Sequence, residues 1–273
     1  MVCNIGRRFI ALVSKIFKAL GGVVATFAFF VFALILASSL VTGVKHAAYV
    51  QQIKDCEDYY AENYEFMGNC YVVPCSPDQE DETSEDYRVD TEELSPLVDE
   101  CLALYPEDLR SYISEEWAIV FAETMPEYIA AHVLELDIKE VSAVSISAIK
   151  TIFVYIKDEG SLRYVLTHEF AHALAYEYGC VDFSEKFVNI YGNHKETYKE
   201  NSPHAVPGYA VSSSSEFFAA TVSAYVTEPD WLRKAAPDVA EYIEELFSRL
   251  PYSNELEKII VESKGALISK PEK

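Results

Sequence analysis

His168, Glu169, Phe170, Ala171 and His172 spell H-E-x-x-H, two imidazoles four residues apart with a carboxylate beside the first. On a helix, residues four apart lie on one face, so His168 and His172 can reach a single metal ion while Glu169 stands next to a water bound there. This is the chemistry of a zinc hydrolase, a peptidase above all, with two histidine ligands and a glutamate as general base. Two histidines can also share a helix face for packing alone, but the surroundings favour the metal. Leu162, Val165, Leu166, Phe170, Ala173 and Leu174 supply apolar surface at helical spacing around them, and Gly179 is placed to end the helix in the left-handed conformation.

Catalytic zinc takes three protein ligands and keeps one position open, so the two histidines need a partner. A metzincin would carry glycine and a third histidine where this chain has Ala175 and Tyr178, which excludes that class. Glu216, at the start of a second helical segment, is the candidate for a third ligand. Ser213 to Glu216 equally matches a capping box, in which the glutamate serves the helix N-terminus. His194 and His204, within a run of turn formers from Gly192 to Gly208, compete with Glu216 for the position.

The elements that must position these groups are legible from periodicity. Leu97, Cys101, Leu102 and Leu104 predict a helix ending before Pro106. Trp117 to Ala122, Val141 to Ile146 and Thr151 to Ile156 read as strands, and Glu127 to Leu134 as a helix. The strand from Thr151 runs directly into the histidine helix, where an extended substrate would add as a further strand. Amphipathic stretches follow from Ser184 to Tyr191, Ser214 to Val226 and Val239 to Leu250, with Pro229 as an interruption. Glu177 and Glu185 read as solvated helix charges. The expected class is α+β, a small mixed sheet beside a helical core, spanning residues 94–255 with a tail over 256–273.

Ahead of that domain, Ala19 to Val44 carries no charged residue and exceeds the roughly 20 apolar positions that a bilayer core requires. Arg7, Arg8, Lys15 and Lys18 precede it, which predicts a cytoplasmic basic segment over 1–18 and a transmembrane signal anchor over 19–44. A cleaved signal peptide, which would release a secreted protein, is the competing reading, and either way the catalytic part is exported. Residues 45–93 read as a juxtamembrane segment followed by an acidic stalk crowded with aspartate and glutamate from Ser76 to Glu93. The net charge of −22 argues against nucleic acid as a partner. Five of the six cysteines lie beyond the anchor, where one or two disulfides are expected.

The chain resembles the gluzincin peptidases related to the anthrax lethal factor catalytic domain and the bacterial Pro-Pro endopeptidases. The resemblance covers residues 105–250 and lies in His168 to Ala173 with Gly179 beyond, E-K-F-V-N-I from Glu185, Tyr209 ahead of Glu216, E-F-F-A from Glu216, and A-P-D-V-A-E-Y-I from Ala236. It implies a zincin-like fold in which His168, His172 and Glu216 hold Zn2+, Glu169 is the general base, and Tyr209 donates to the oxyanion. One position departs: family members often carry an acid four residues after the ligand glutamate, where this chain has Ala220. The support for the histidines is therefore unassigned. The implied activity is zinc-dependent endoproteolysis of a peptide or protein at the cell membrane. The alternative is an inactive or latent peptidase fold that binds peptides at the cell surface, for which Ala220 speaks and the intact Glu169 does not.

Overall fold

A computed structural model describes residues 42–72, 91–122, 142–155, 162–201 and 207–251. The chain divides into two compact units, Met1–Ala48 and Tyr49–Lys273. In the first, residues 42–48 are helical. The expected membrane span lies outside the described residues apart from positions 42–44, and among the described residues no helix is long and apolar enough to cross a membrane. The basic segment 1–18, residues 73–75 of the juxtamembrane segment, residues 76–90 of the stalk, the helix expected over Glu127 to Leu134, and the tail 256–273 also lie outside them.

The larger unit is mixed α+β and mostly helical, with one mixed sheet. Helix α1 covers residues 49–63. It leads into strands β1 (Glu65–Phe66) and β2 (Tyr71–Val72), helices α2 (Thr91–Leu102) and α3 (Glu107–Ser114), and strands β3 (Ala118–Ala122), β4 (Ala143–Ile146) and β5 (Thr151–Tyr155). Helices α4 (Leu162–Glu177), α5 (Glu185–Asn201), α6 (Pro207–Ala210), α7 (Ser214–Thr227), α8 (Pro229–Ala235) and α9 (Pro237–Phe247) complete it.

The β-branched and aromatic runs A-I-V-F-A and T-I-F-V-Y form β3 and β5, which pair in parallel with Val120 opposite Phe153. β2 adds parallel to β3, β1 antiparallel to β2, and β4 antiparallel to β5, giving the order β1-β2-β3-β5-β4. Alternation divides the side chains between two layers. Ile119, Phe121, Ile152 and Val154 join the helical core on one face, whereas Val120, Phe153, Tyr155 and Ile146 pack with Cys56 and Tyr60 of α1 on the other. With both faces covered, every residue of β5 is buried.

Residues 49–72, which the sequence presents as a juxtamembrane segment, are therefore part of this fold. Cys56, Tyr60 and Cys70 are buried, and the Tyr60 hydroxyl lies 3.0 Å from Thr151 Oγ1. The segment hides its periodicity because it splits into one helix and two strands of two residues each, too short to show alternation. Similarly, β5 cannot take a substrate strand as the sequence suggests, because β3 and β4 occupy both its sides. Among the described residues the sheet ends at β4 on that side. Among the described residues, Cys56, Cys70 and Cys101 are free thiols where the sequence suggests disulfides.

Two further departures concern helices. α5 runs through Gly192 to Asn201 instead of giving way to turns at Gly192. A helix-internal glycine costs roughly 1 kcal/mol, and buried Tyr198 near the far end offsets it by packing on Phe217 and Trp231. Glu177 is no solvated charge: it is fully buried, accepts from Trp117 Nε1 at 2.8 Å, and lies 3.4 Å from Lys150 Nζ.

Candidate metal centre

The site is built by the packing of α4 on α7. Ala171, Ala175, Ala219, Ala220 and Ala224 are buried along this pair of helices, small enough for the two backbones to approach closely. Thr167 Oγ1 and Ser223 Oγ meet across the seam at 2.7 Å, and the buried Tyr105 hydroxyl donates to the Thr167 carbonyl at 2.7 Å. Both contacts hold the turn immediately before His168. Gly179, with φ +78, stops α4 as the sequence predicts.

Local chemistry starts α7 at the right residue. Ser213 is its N-cap, with an extended backbone, and its side chain accepts from the Glu216 N–H at 3.1 Å. The capping box is only half made, because the Glu216 carboxylate turns away from the helix end. Its Oε2 lies 3.0 Å from His168 Nε2 and 3.6 Å from His172 Nε2.

His168, His172 and Glu216 thus present three donor atoms within 4.8 Å of one another. Zinc bonds of 2.0–2.1 Å in tetrahedral geometry would separate neighbouring donors by about 3.3 Å, and the two distances to Glu216 bracket that value. Two neutral imidazoles and one carboxylate also match the ligand chemistry of catalytic zinc. His194 is not in this group; it pairs with Asp238 at 2.8 Å on the surface of α5. His204 lies outside the described residues.

Glu169 points into the site without joining the donor set. Ser145 Oγ on β4 lies 2.7 Å from Glu169 Oε2 and 3.0 Å from its carbonyl oxygen, so the sheet edge orients the carboxylate. Tyr209, on the single turn α6, is about half exposed, with its ring centroid 6.3 Å from that of His168. Tyr191 holds this turn through a hydrogen bond from its hydroxyl to the Val211 carbonyl at 2.8 Å. Burial, together with the charges of Glu216 and Glu169, raises the Tyr209 phenol well above its usual value, so it remains a hydrogen-bond donor.

Charge is strongly coupled across the donor set. Burial pushes the Glu216 carboxyl upward, but the hydrogen bond with His168 and the charges of His168 and His172 outweigh it and hold the group far below the usual carboxylate range. For His172, burial favours the neutral ring, yet the nearby Glu216 carboxylate and the charges of Glu169 and Asp182 carry it up to about 9.

Four neighbours escaped sequence reasoning. Tyr164 sits one turn before His168 with its ring 5.8 Å away, and burial with the charges of Glu216 and Glu169 raises its phenol to about 12. The i, i+4 spacing to His168 was its available signal. Ser145, Ser215 and Asp182 come from separate elements, and no spacing links them to the motif.

No protein-family model and no curated protein matches the chain. Among solved structures it is similar to the PRO-PRO endopeptidase PPEP-2 from Paenibacillus alvei, with 18% sequence identity and a TM-score of 0.45 over 64% of this chain and 96% of that one.

Proposed function

We propose that this chain is a zinc-dependent endopeptidase, exported and anchored to a membrane through residues 19–44. The convergence of His168, His172 and Glu216, with Glu169 beside them and outside the donor set, is the observation that carries this reading. When bound, zinc would lower the pKa of an attacking water and polarise the scissile carbonyl. Glu169, oriented by Ser145, takes the proton of the attacking water and delivers it to the departing amine. Tyr209 donates its phenolic hydrogen to the oxygen on which negative charge develops. A peptide substrate adds as an extended strand along β4, whose Ser145 already reaches Glu169, so that backbone hydrogen bonds set its register against the base.

The test is digestion of a diverse peptide library by the full chain in detergent and by its Glu169→Gln variant, with bound zinc quantified in both. The expected result is cleavage by the wild type, a loss of about 10²-fold to 10⁴-fold in the variant, and equal zinc. Zinc in both proteins with cleavage by neither would move the assignment to a peptide-binding protein. No zinc in the wild type would overturn the donor set.

A further inference from the structure

A histidine that offers Nε2 to a metal must carry its proton on Nδ1, and that N–H needs an acceptor to hold both the tautomer and the ring plane. The acid expected for this role one turn after Glu216 is replaced by Ala220, which is fully buried. The two histidines meet this loss differently. His168 Nδ1 is buried and has no hydrogen-bond partner among the described residues. His172 Nδ1 lies 3.4 Å from Ser215 Oγ, on the residue just before Glu216.

Asp182, an aspartate only 4% exposed, lies beside Ser215 on the turn packed against both helices; burial raises its carboxyl, and the Ser215 hydroxyl and the His172 charge act against that rise. Asp182 belongs to the 3-10 turn Val181–Phe183, and it gets there by an unusual backbone path. Gly179 and Cys180 take φ values of +78 and +56 in succession, a double left-handed turn that folds the chain back after α4 and sets the 3-10 turn against both α4 and α7. Glycine adopts this conformation freely, but Cys180 does so at a cost. The direction of the bonds follows from the inventory of hydrogens. An ionised Asp182 would take the single Ser215 hydrogen, which would leave Ser215 Oγ to accept from His172 Nδ1–H across the 3.4 Å between them.

We infer that Asp182 and Ser215 form a relay that positions His172 for the metal, a hydroxyl-bridged carboxylate in place of the acid missing at Ala220. The inference rests on the zinc reading of His168, His172 and Glu216. Ser215 and Asp182 are positioning residues: they act through His172 and touch neither substrate nor metal. The arrangement also makes the site asymmetric, since His172 is held in one tautomer while, among the described residues, His168 is oriented by packing and the donor set.

The experiment measures zinc affinity of the full chain in detergent by competition with a chromophoric chelator, for the wild type, Ser215→Ala, Ser215→Thr, Asp182→Asn and the double variant Ser215→Ala/Asp182→Asn. Loss of such a supporting contact weakens metal binding about 10-fold to 100-fold, and that is the result expected for Ser215→Ala. Ser215→Thr keeps the hydroxyl and restores affinity to within about three-fold of the wild type. The double variant is no weaker than Asp182→Asn, because both substitutions cut the same relay. Asp182 also accepts backbone N–H groups of its own turn, so Asp182→Asn alone could act through local folding. Ser215→Ala leaves those bonds intact, and its thermal midpoint with chelator present stays at the wild-type value. Wild-type affinity in Ser215→Ala, or equal losses in Ser215→Ala and Ser215→Thr, overturns the relay. A wild-type protein that takes up no zinc overturns the metal reading beneath it.

Discussion

Replacing Lys150 with methionine tests how the C-terminal end of the histidine helix is held. Glu177 closes α4 with no exposed surface, Trp117 Nε1 donates to it at 2.8 Å, and Lys150 Nζ lies 3.4 Å away. At that separation and an effective dielectric constant of about 20, two unit charges attract by roughly 5 kcal/mol. Methionine keeps the apolar stem and the backbone demand, since Lys150 sits at φ 44 and the substituted residue would sit there too. What it removes is the ammonium, which leaves the Glu177 carboxylate buried without its cation. Breaking such a pair costs about 3–5 kcal/mol. Glu116, the other carboxylate on Lys150 at 2.7 Å, is half exposed and returns to water at little cost. The expectation for Lys150→Met is therefore a loss of about 3–5 kcal/mol, or a fall in Tm on the order of 10 °C. Lys150→Met/Glu177→Gln recovers most of it, because the glutamine carbonyl still accepts from Trp117. Guanidinium denaturation followed by tryptophan fluorescence at pH 7 reads both values. A Lys150→Met protein within about 1 kcal/mol of the wild type, or a double variant no more stable than the single, would refute the reasoning.

Two other expectations follow from the described geometry. A Cβ added at Gly192 meets nothing within 4 Å inside α5, so Gly192→Ala should stabilise the protein by about 0.5–1 kcal/mol in the same denaturation assay, and a loss would contradict the continuous helix. For pH, His172 is raised from its ordinary 6.5 to about 9, so its pairing with Glu216 contributes stability that is complete below about 6.5 and disappears as pH rises through about 9. Glu216 has the opposite sign: its carboxyl is depressed, and its contribution is lost only well below its ordinary 4.5. Chelator-treated protein should therefore lose thermal stability between pH 7 and about 9.5, while protein saturated with zinc does not. A flat profile in the treated protein would show that the two side chains do not interact.

The parts of this molecule legible in its sequence are those that depend on near neighbours. His168 and His172 share a face because a helix repeats every 3.6 residues, and the β3 and β5 runs announce themselves through branched and aromatic residues. Gly179 marks the end of α4 because the left-handed region favours glycine. Ser213 was readable as a cap, but the same four residues offered Glu216 two fates, and local pattern could not choose between them. The choice was made by α4, which presents two imidazoles to the Glu216 carboxylate across the alanine-lined seam. In the same way, nothing near Glu177 in the chain distinguishes it from a surface charge; Trp117 and Lys150 reach it from the residues just before β3 and β5.

By itself, then, the sequence determined the chemistry on offer: a histidine pair on one helix face that could hold a metal, a carboxylate beside it, and the helices and strands that local periodicity encodes. The tertiary structure decided which groups complete the site. Glu216 rather than His194 beside the two histidines, β4 rather than β5 as the sheet edge among the described residues, Ser145 on Glu169, and Ser215 on His172 are all meetings of residues from separate elements. Such meetings depend on how helices and sheet pack, and packing is settled by the burial of side chains distant in sequence, which no short window of residues contains.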